Sequence, residues 1–151
     1  MGTSHRTVVH EDVLPVSASS VWELLVDWGG IGDWFPGGIL TVARMEGEGV
    51  GAIRHLKTSE GDQMSERLDA LDAHGKRLEL SIVGTPPWKI SRYKATATIT
   101  DLGPGQCRIH YCGQFETTAG DAQAERIARK LRASYSNLFQ GLRNAATKSV
   151  P

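Results

Sequence analysis

The chain has 151 residues, enough for one domain with a sizeable core, and its 40% apolar and 23% charged residues form an ordinary soluble composition. Lysine plus arginine equals aspartate plus glutamate, 17 against 17, and this balance argues against a nucleic-acid footprint or a polybasic membrane anchor. No apolar run approaches the ~20 residues of a membrane span. "MGTSHRTVVH" has no hydrophobic signal core, and Arg6 stands where a myristoylation pattern wants Ser or Thr, so a cytoplasmic protein is expected.

In chain order, "TVVHEDVL" (7–14) predicts a first strand, stopped by Pro15. "SASSVWELLVDW" predicts a short helix, with Ser17 as N-cap and Val21, Leu24, Leu25 and Trp28 on one stripe. Trp22 and Trp28 are read as core. "GGIGDWFPGG" is a Gly-rich turn region with room for a second short helix. Six further strands follow at hairpin spacing: "ILTVARM", "GVGAIRHLK", "DQMSERLDALD", "KRLELSIVG", "ISRYKATATIT" and "QCRIHYCGQFE". From Asp121 to about Ala146, Ala124, Ile127, Ala128, Leu131, Tyr135, Leu138 and Leu142 recur at three and four, which predicts a long amphipathic helix. It is the only element large enough to cover the apolar face of so long a meander. The expected fold is therefore α+β, a curved seven-stranded antiparallel sheet wrapped around the C-terminal helix, with two short helices after the first strand.

Cys107 and Cys112 lie five apart in one strand, on opposite faces, so they should not bridge. The histidines are scattered singly, and no metal site is expected; His55 and His110 fall on outward faces and receive no role.

Register singles out a site. In "SERLDALD", Met64, Glu66, Leu68 and Ala70 share the face meant for the core, and one of them is a carboxylate. A five-residue loop centred on Glu60 places Leu56 opposite Met64, Ala52 opposite Leu68, and Arg54 directly opposite Glu66. A three-residue loop, Ala73-His74-Gly75, places Ala70 opposite Leu78 and Leu68 opposite Leu80, with Gly75 as the left-handed residue. The turn at "DLGPGQ" brings Tyr93, Ala95, Ala97 and Ile99 inward, across from Phe115, Gly113, Tyr111 and Ile109. The small inward residues Ala52, Ala70, Ala95, Ala97 and Gly113 admit two readings, a cavity or close helix packing.

Arg54, Glu66 and Tyr93 thus all point inward. Burying two charges costs several kcal/mol per ion before pairing offsets it, so the pair either fixes register or serves a function. Glu66 can take or give a proton, Arg54 can hold an oxyanion or carboxylate, and Tyr93 can donate to a carbonyl. These three are the candidate catalytic residues. The expected ligand-binding wall comprises Trp34 and Phe35 in the turn region and Leu56, Met64, Leu68, Leu80 and Ile82 on the middle strands. Trp88 on the "GTPPWKIS" loop, Ala95, Tyr111 and Phe115 on the last strands, and Leu131 and Tyr135 on the final helix complete it. No Ser-His-Asp arrangement or phosphate-binding loop is visible; "GVGA" lies within a strand and "GGIGD" has no Walker lysine.

"PVSASSVWELLVDWGGIGDWFPG", "GVGAIRHLK", "ERLDALD", "RYKATATI" and the closing helix together resemble the START/SRPBCC superfamily, the helix-grip fold of polyketide cyclases, pollen-allergen-like proteins and abscisic acid receptors. The likeness spans almost the whole chain and implies one such domain over 1–151. Within the superfamily the pattern is most similar to plant lachrymatory-factor synthases. Their essential Arg, Glu and supporting Tyr match segments that carry Arg54, Glu66 and Tyr93 here, the three residues that strand parity selects. Abscisic acid receptors have similar charged positions and use them to bind a ligand. Their Ser-Gly-Leu-Pro-Ala gate is replaced here by "KTSEGDQ", and their His-Arg-Leu latch by "PPWKI".

The resemblance implies a cofactor-independent lyase, isomerase or cyclase acting on a small hydrophobic or amphipathic molecule; the charge balance leaves no nucleic-acid or membrane partner expected, and with no long exposed hydrophobic stripe to compel a dimer, a monomer or weak homodimer is expected. The alternatives are a non-catalytic hydrophobic-ligand binding or transport protein, or a helper protein whose cavity is vestigial.

Overall fold

The computed structural model describes residues 2–148. Strand β1 (Ser4–Leu14) is followed by helix α1 (Ala18–Val26), a 3₁₀ turn, the short helix α2 (Ile31–Trp34) and a second 3₁₀ turn at Pro36–Gly38. Strands β2 (Leu40–Glu46), β3 (Ile53–Thr58), β4 (Gln63–Asp72), β5 (Arg77–Val83), β6 (Ile90–Asp101) and β7 (Cys107–Thr117) then lead into helix α3 (Asp121–Lys148). The strands form one antiparallel sheet in the order β1-β7-β6-β5-β4-β3-β2. The last strand returns beside the first, so β1 and β2, adjacent in sequence, end up on opposite edges. The predicted helix-grip architecture is the one observed.

Local chemistry explains the elements. Ser17 caps α1, its hydroxyl accepting from the backbone N–H of Ser20 at 3.2 Å. The apolar stripe of α3 is buried against the sheet, from Ala124 and Ile127 through Leu131 and Tyr135 to Leu142. The start of α3 is tied to β1: Ser4 donates to Asp121 at 2.6 Å, and Arg6 donates to Glu125 at 2.8 Å. Gly141 lets α3 come close to α2, because a β-carbon there would stand 2.5 Å from the carbonyl oxygen of Trp34.

The β3–β4 hairpin follows the expected register. Leu56 pairs with Met64 and Arg54 with Glu66, and Leu68 donates to the Ala52 carbonyl at 2.9 Å. The β4–β5 hairpin departs from it. Leu68 faces Leu80, but a bulge between Leu68 and Ala70 puts Ala70 against Glu79 and Leu71 against Leu78. The extra residue bends the strand. The connecting turn is one residue longer than expected, and its left-handed residue is Lys76 (φ 50), not Gly75; Gly75 instead donates to Asp72 Oδ1 at 3.0 Å. In the last hairpin Ile99, Ala97 and Ala95 pair with Ile109, Tyr111 and Gly113 as expected. A second bulge, between Ser91 and Lys94, carries Arg92 at φ 52 and leaves Tyr93 facing inward and buried.

Candidate active site

The cross-strand pair Arg54–Glu66 is the charged centre of the interior. Both side chains are nearly out of solvent, 5% and 12% exposed. Arg54 Nε donates to Glu66 Oε1 at 2.9 Å, and Nη2 lies 2.8 Å from the same oxygen. The second carboxylate oxygen, Oε2, has no hydrogen-bond partner among the described residues. A third residue fixes the pair. Trp28, which opens the 3₁₀ turn after α1, covers the guanidinium with its ring at 3.5 Å and accepts from Nη1 through its carbonyl at 3.3 Å. Its indole Nε1 donates to the backbone carbonyl of Glu66 at 3.2 Å. Strand parity reveals Arg54 and Glu66; it gives no sign that a helix-end tryptophan clamps both.

Three phenols stand near this centre. They are the only tyrosines in the sequence: Tyr93, Tyr111 and Tyr135, each at most 5% exposed. The hydroxyls of Tyr93 and Tyr135 share a hydrogen bond of 2.6 Å, and the rings of Tyr111 and Tyr135 lie 4.4 Å apart between centroids, tilted by 49°. Burial pushes the ionisation of all three upward, Tyr93 and Tyr111 well above the ordinary phenol value, and the negative charge of Glu66 adds to the effect at each. At neutral pH these groups are hydrogen-bond donors, not bases. Gly113 makes the arrangement possible, because a β-carbon there would collide with the Tyr135 hydroxyl and stand 3.3 Å from that of Tyr93.

A cavity of about 350 Å³ opens from these groups toward the surface. This is at the small end of ligand pockets. Of the residues expected on its wall, Phe35, Leu56, Met64, Ile82 and Trp88 are there, with Tyr111, Leu131 and Tyr135; Arg54, Glu66 and Tyr93 reach it as well. Trp34, Leu68, Leu80, Ala95 and Phe115 do not line it. Leu68, Leu80 and Ala95 pair in a row that continues to Gly113, beneath the Tyr135 phenol, and with Phe115 they belong to the solid core. Trp34 is half-buried and packs against α3 at Gly141. None of Ala52, Ala70, Ala95, Ala97 and Gly113 is on the wall; the four buried ones, Ala52, Ala95, Ala97 and Gly113, serve close packing, while the bulge leaves Ala70 half-buried opposite the exposed Glu79.

The wall also includes residues that the sequence reading passed over. Ile31 comes from α2, Ile39 from the link after the second 3₁₀ turn and Leu40 from the start of β2, and Lys130, Ser134 and Asn137 flank the apolar stripe of α3. The flanking positions on α3 carry a readable signal, since they adjoin Leu131, Tyr135 and Leu138 at helical spacing. Glu60 and Asp62 stand at the mouth, where Asp62 Oδ2 accepts from Trp88 Nε1 at 3.3 Å and Lys130 Nζ sits 5.2 Å from the Trp88 ring centre. Trp88 and Lys89 both have positive φ, 61 and 59, which turns the indole back over the opening. Among the described residues no group of three His, Cys, Asp or Glu side chains could hold a metal ion, and no helix is long and apolar enough to cross a membrane.

A curved antiparallel sheet gripping one long C-terminal helix, with short helices after the first strand, defines the helix-grip class of folds. The chain belongs to the polyketide cyclase / dehydrase and lipid transport family, whose profile matches residues 5–147. Solved structures share the fold at low identity. Norcoclaurine synthase from Thalictrum flavum, in complex with dopamine and hydroxybenzaldehyde, superposes with a TM-score of 0.76 at 16% identity, over 99% of this chain and 90% of that one. XoxI from Bacillus cereus gives 0.74 at 21% identity, over 95% and 96%. The Zhui aromatase/cyclase from Streptomyces sp. R1128 gives 0.69 at 22% identity, over 95% and 92%. No curated protein matches the sequence significantly.

Proposed function

We propose that the protein is a cofactor-independent enzyme of the lyase, isomerase or cyclase type, acting on a small, mostly apolar molecule held in the cavity. Glu66 moves a proton, Arg54 holds the Glu66 carboxylate in place, and Tyr93 keeps the reacting oxygen function oriented. The observation that carries this reading is the asymmetry of the Glu66 carboxylate. Arg54 contacts only Oε1, while Oε2 is unbonded on a side chain that lines the cavity. A carboxylate held in place by one oxygen and unengaged at the other is equipped for proton transfer. The cyclase and dehydrase members of the family, and the two synthase and cyclase structures with the same fold, support the chemistry.

Native mass spectrometry of freshly purified protein identifies candidate ligands. With a converted ligand in hand, Glu66→Gln keeps the shape and removes the proton acceptor. Turnover is expected to fall by a factor on the order of 10²–10⁴ with affinity largely kept. Undiminished turnover in Glu66→Gln would refute the assignment. The lipid-transport members of the family favour a second reading, binding without conversion, under which bound ligand is recovered chemically unchanged from the wild-type protein.

A further inference from the structure

We infer that the cavity selects an uncharged ligand bearing a hydroxyl-type oxygen, an alcohol, phenol or enol, that donates to Glu66 Oε2 and accepts from the Tyr93–Tyr135 hydroxyl pair. The inference rests on the ligand-cavity reading above and adds the charge and the polar group of the ligand.

Three observations carry it. First, Arg54 is not available as an anion clamp. Its Nε and Nη2 are committed to Glu66 Oε1, its Nη1 to the Trp28 carbonyl, and one face of the guanidinium to the Trp28 ring. Of the two guanidinium edges that could recognise a carboxylate or phosphate, the Nε–Nη2 edge is already turned to Glu66, and Nη1 of the other is held by the Trp28 carbonyl. Second, the charges on the wall do not attract an anion. Two basic side chains, Arg54 and Lys130, stand against three acidic ones, Glu60, Asp62 and Glu66. An entering carboxylate would pass two of these at the mouth and meet the third in the interior, losing hydration without a free cation there. Third, the nearly solvent-free polar groups left to a ligand are of two kinds, the hydroxyls and amide of Thr58, Ser134 and Asn137 being half-buried or exposed. Glu66 Oε2 accepts only, and the buried phenols are donors that stay protonated at neutral pH. One oxygen that both donates and accepts satisfies the two kinds together, and an ether or a ketone satisfies one.

The test is isothermal titration of the full-length protein at pH 7 with three probes of one ring system: 2-naphthol, 2-methoxynaphthalene and 2-naphthoate. The naphthol is expected to bind about tenfold or more tightly than either of the others, as the loss of a buried hydrogen bond or the entry of an unpaired charge dictates. Equal or tighter binding of the naphthoate overturns the inference and leaves the cavity reading intact, as does equal binding of the methoxy compound. Failure of all three to bind removes the cavity reading and this inference with it. The folded double variant Tyr93→Phe/Tyr135→Phe should bind 2-naphthol about tenfold more weakly. Unchanged affinity there also overturns the inference.

Discussion

Tyr135, on the long helix, and Gly113, on strand β7, compete for one point in space: the phenol oxygen sits where a β-carbon on residue 113 would be. Gly113→Ala must push the ring aside and part it from Tyr93. It is expected to cost about 1–3 kcal/mol, the range for overpacking a filled interior. Adding Tyr135→Phe removes the colliding atom, so the double variant should recover part of the loss. Urea denaturation of the wild type, both single variants and the double variant measures this coupling, and strict additivity would contradict it.

The Arg54–Glu66 pair should be far more sensitive to losing one partner than its surface counterparts. Arg54→Met leaves a carboxylate that is only 12% exposed without its cation, and about 3–5 kcal/mol of stability should be lost. Arg54→Lys should rescue little, because an ammonium cannot fork onto Oε1, reach the Trp28 carbonyl and lie flat under the indole together. Chemical denaturation of both variants checks this.

The three tyrosines set the alkaline limit. In the unfolded chain they ionise near pH 10, whereas in the folded protein burial holds all of them higher. The native state therefore retains protons that the unfolded state has lost. Their contribution is constant below about pH 10 and turns against folding above it, by up to ~1.4 kcal/mol per pH unit for each phenol. Because the sequence has no other tyrosine, absorbance at 295 nm should stay flat above pH 10 and rise only with the loss of circular dichroism. A tyrosinate signal growing in while the fold is intact would contradict this.

Helix α1 should depend on its cap. Ser17→Ala removes the acceptor for the Ser20 N–H and is expected to cost ~1 kcal/mol. Ser17→Asp should restore most of it, as thermal unfolding would show.

Much of this molecule was legible in its sequence because the relevant rules are local. Period-two alternation and a five-residue loop suffice to set Arg54 opposite Glu66, and the three-four spacing of α3 identifies Leu131, Tyr135 and Leu138 as its inner face. Bulges are a different matter. The extra residues at Leu68–Ala70 and Ser91–Lys94 follow from the curvature the whole sheet needs, and no turn residue announces them. They shift Ala70 away from Leu78 and place the left-handed backbone on Lys76 and Arg92 instead of a glycine. The wall of the cavity was harder still. Leu68, Leu80 and Ala95 share the inward face with Glu66 and Ile82, and only the reach of Tyr135 from α3 decides which inward positions are filled. The role of Trp28 likewise depends on where α1 ends relative to β3 and β4.

The support of the charged pair and the apolar wall draw on largely separate parts of the chain. Arg54 and Glu66 are held by one another and by Trp28, while Ile31, Ile39, Leu40, Ile82 and Leu138 shape the surrounding hollow from α2, the link leading into β2, β2 itself, β5 and α3. Mutational drift among those aliphatic positions can therefore recontour the space without unseating the ionic anchor. Such modularity makes the scaffold evolvable: a lineage can change what fits inside while inheriting the same polar heart.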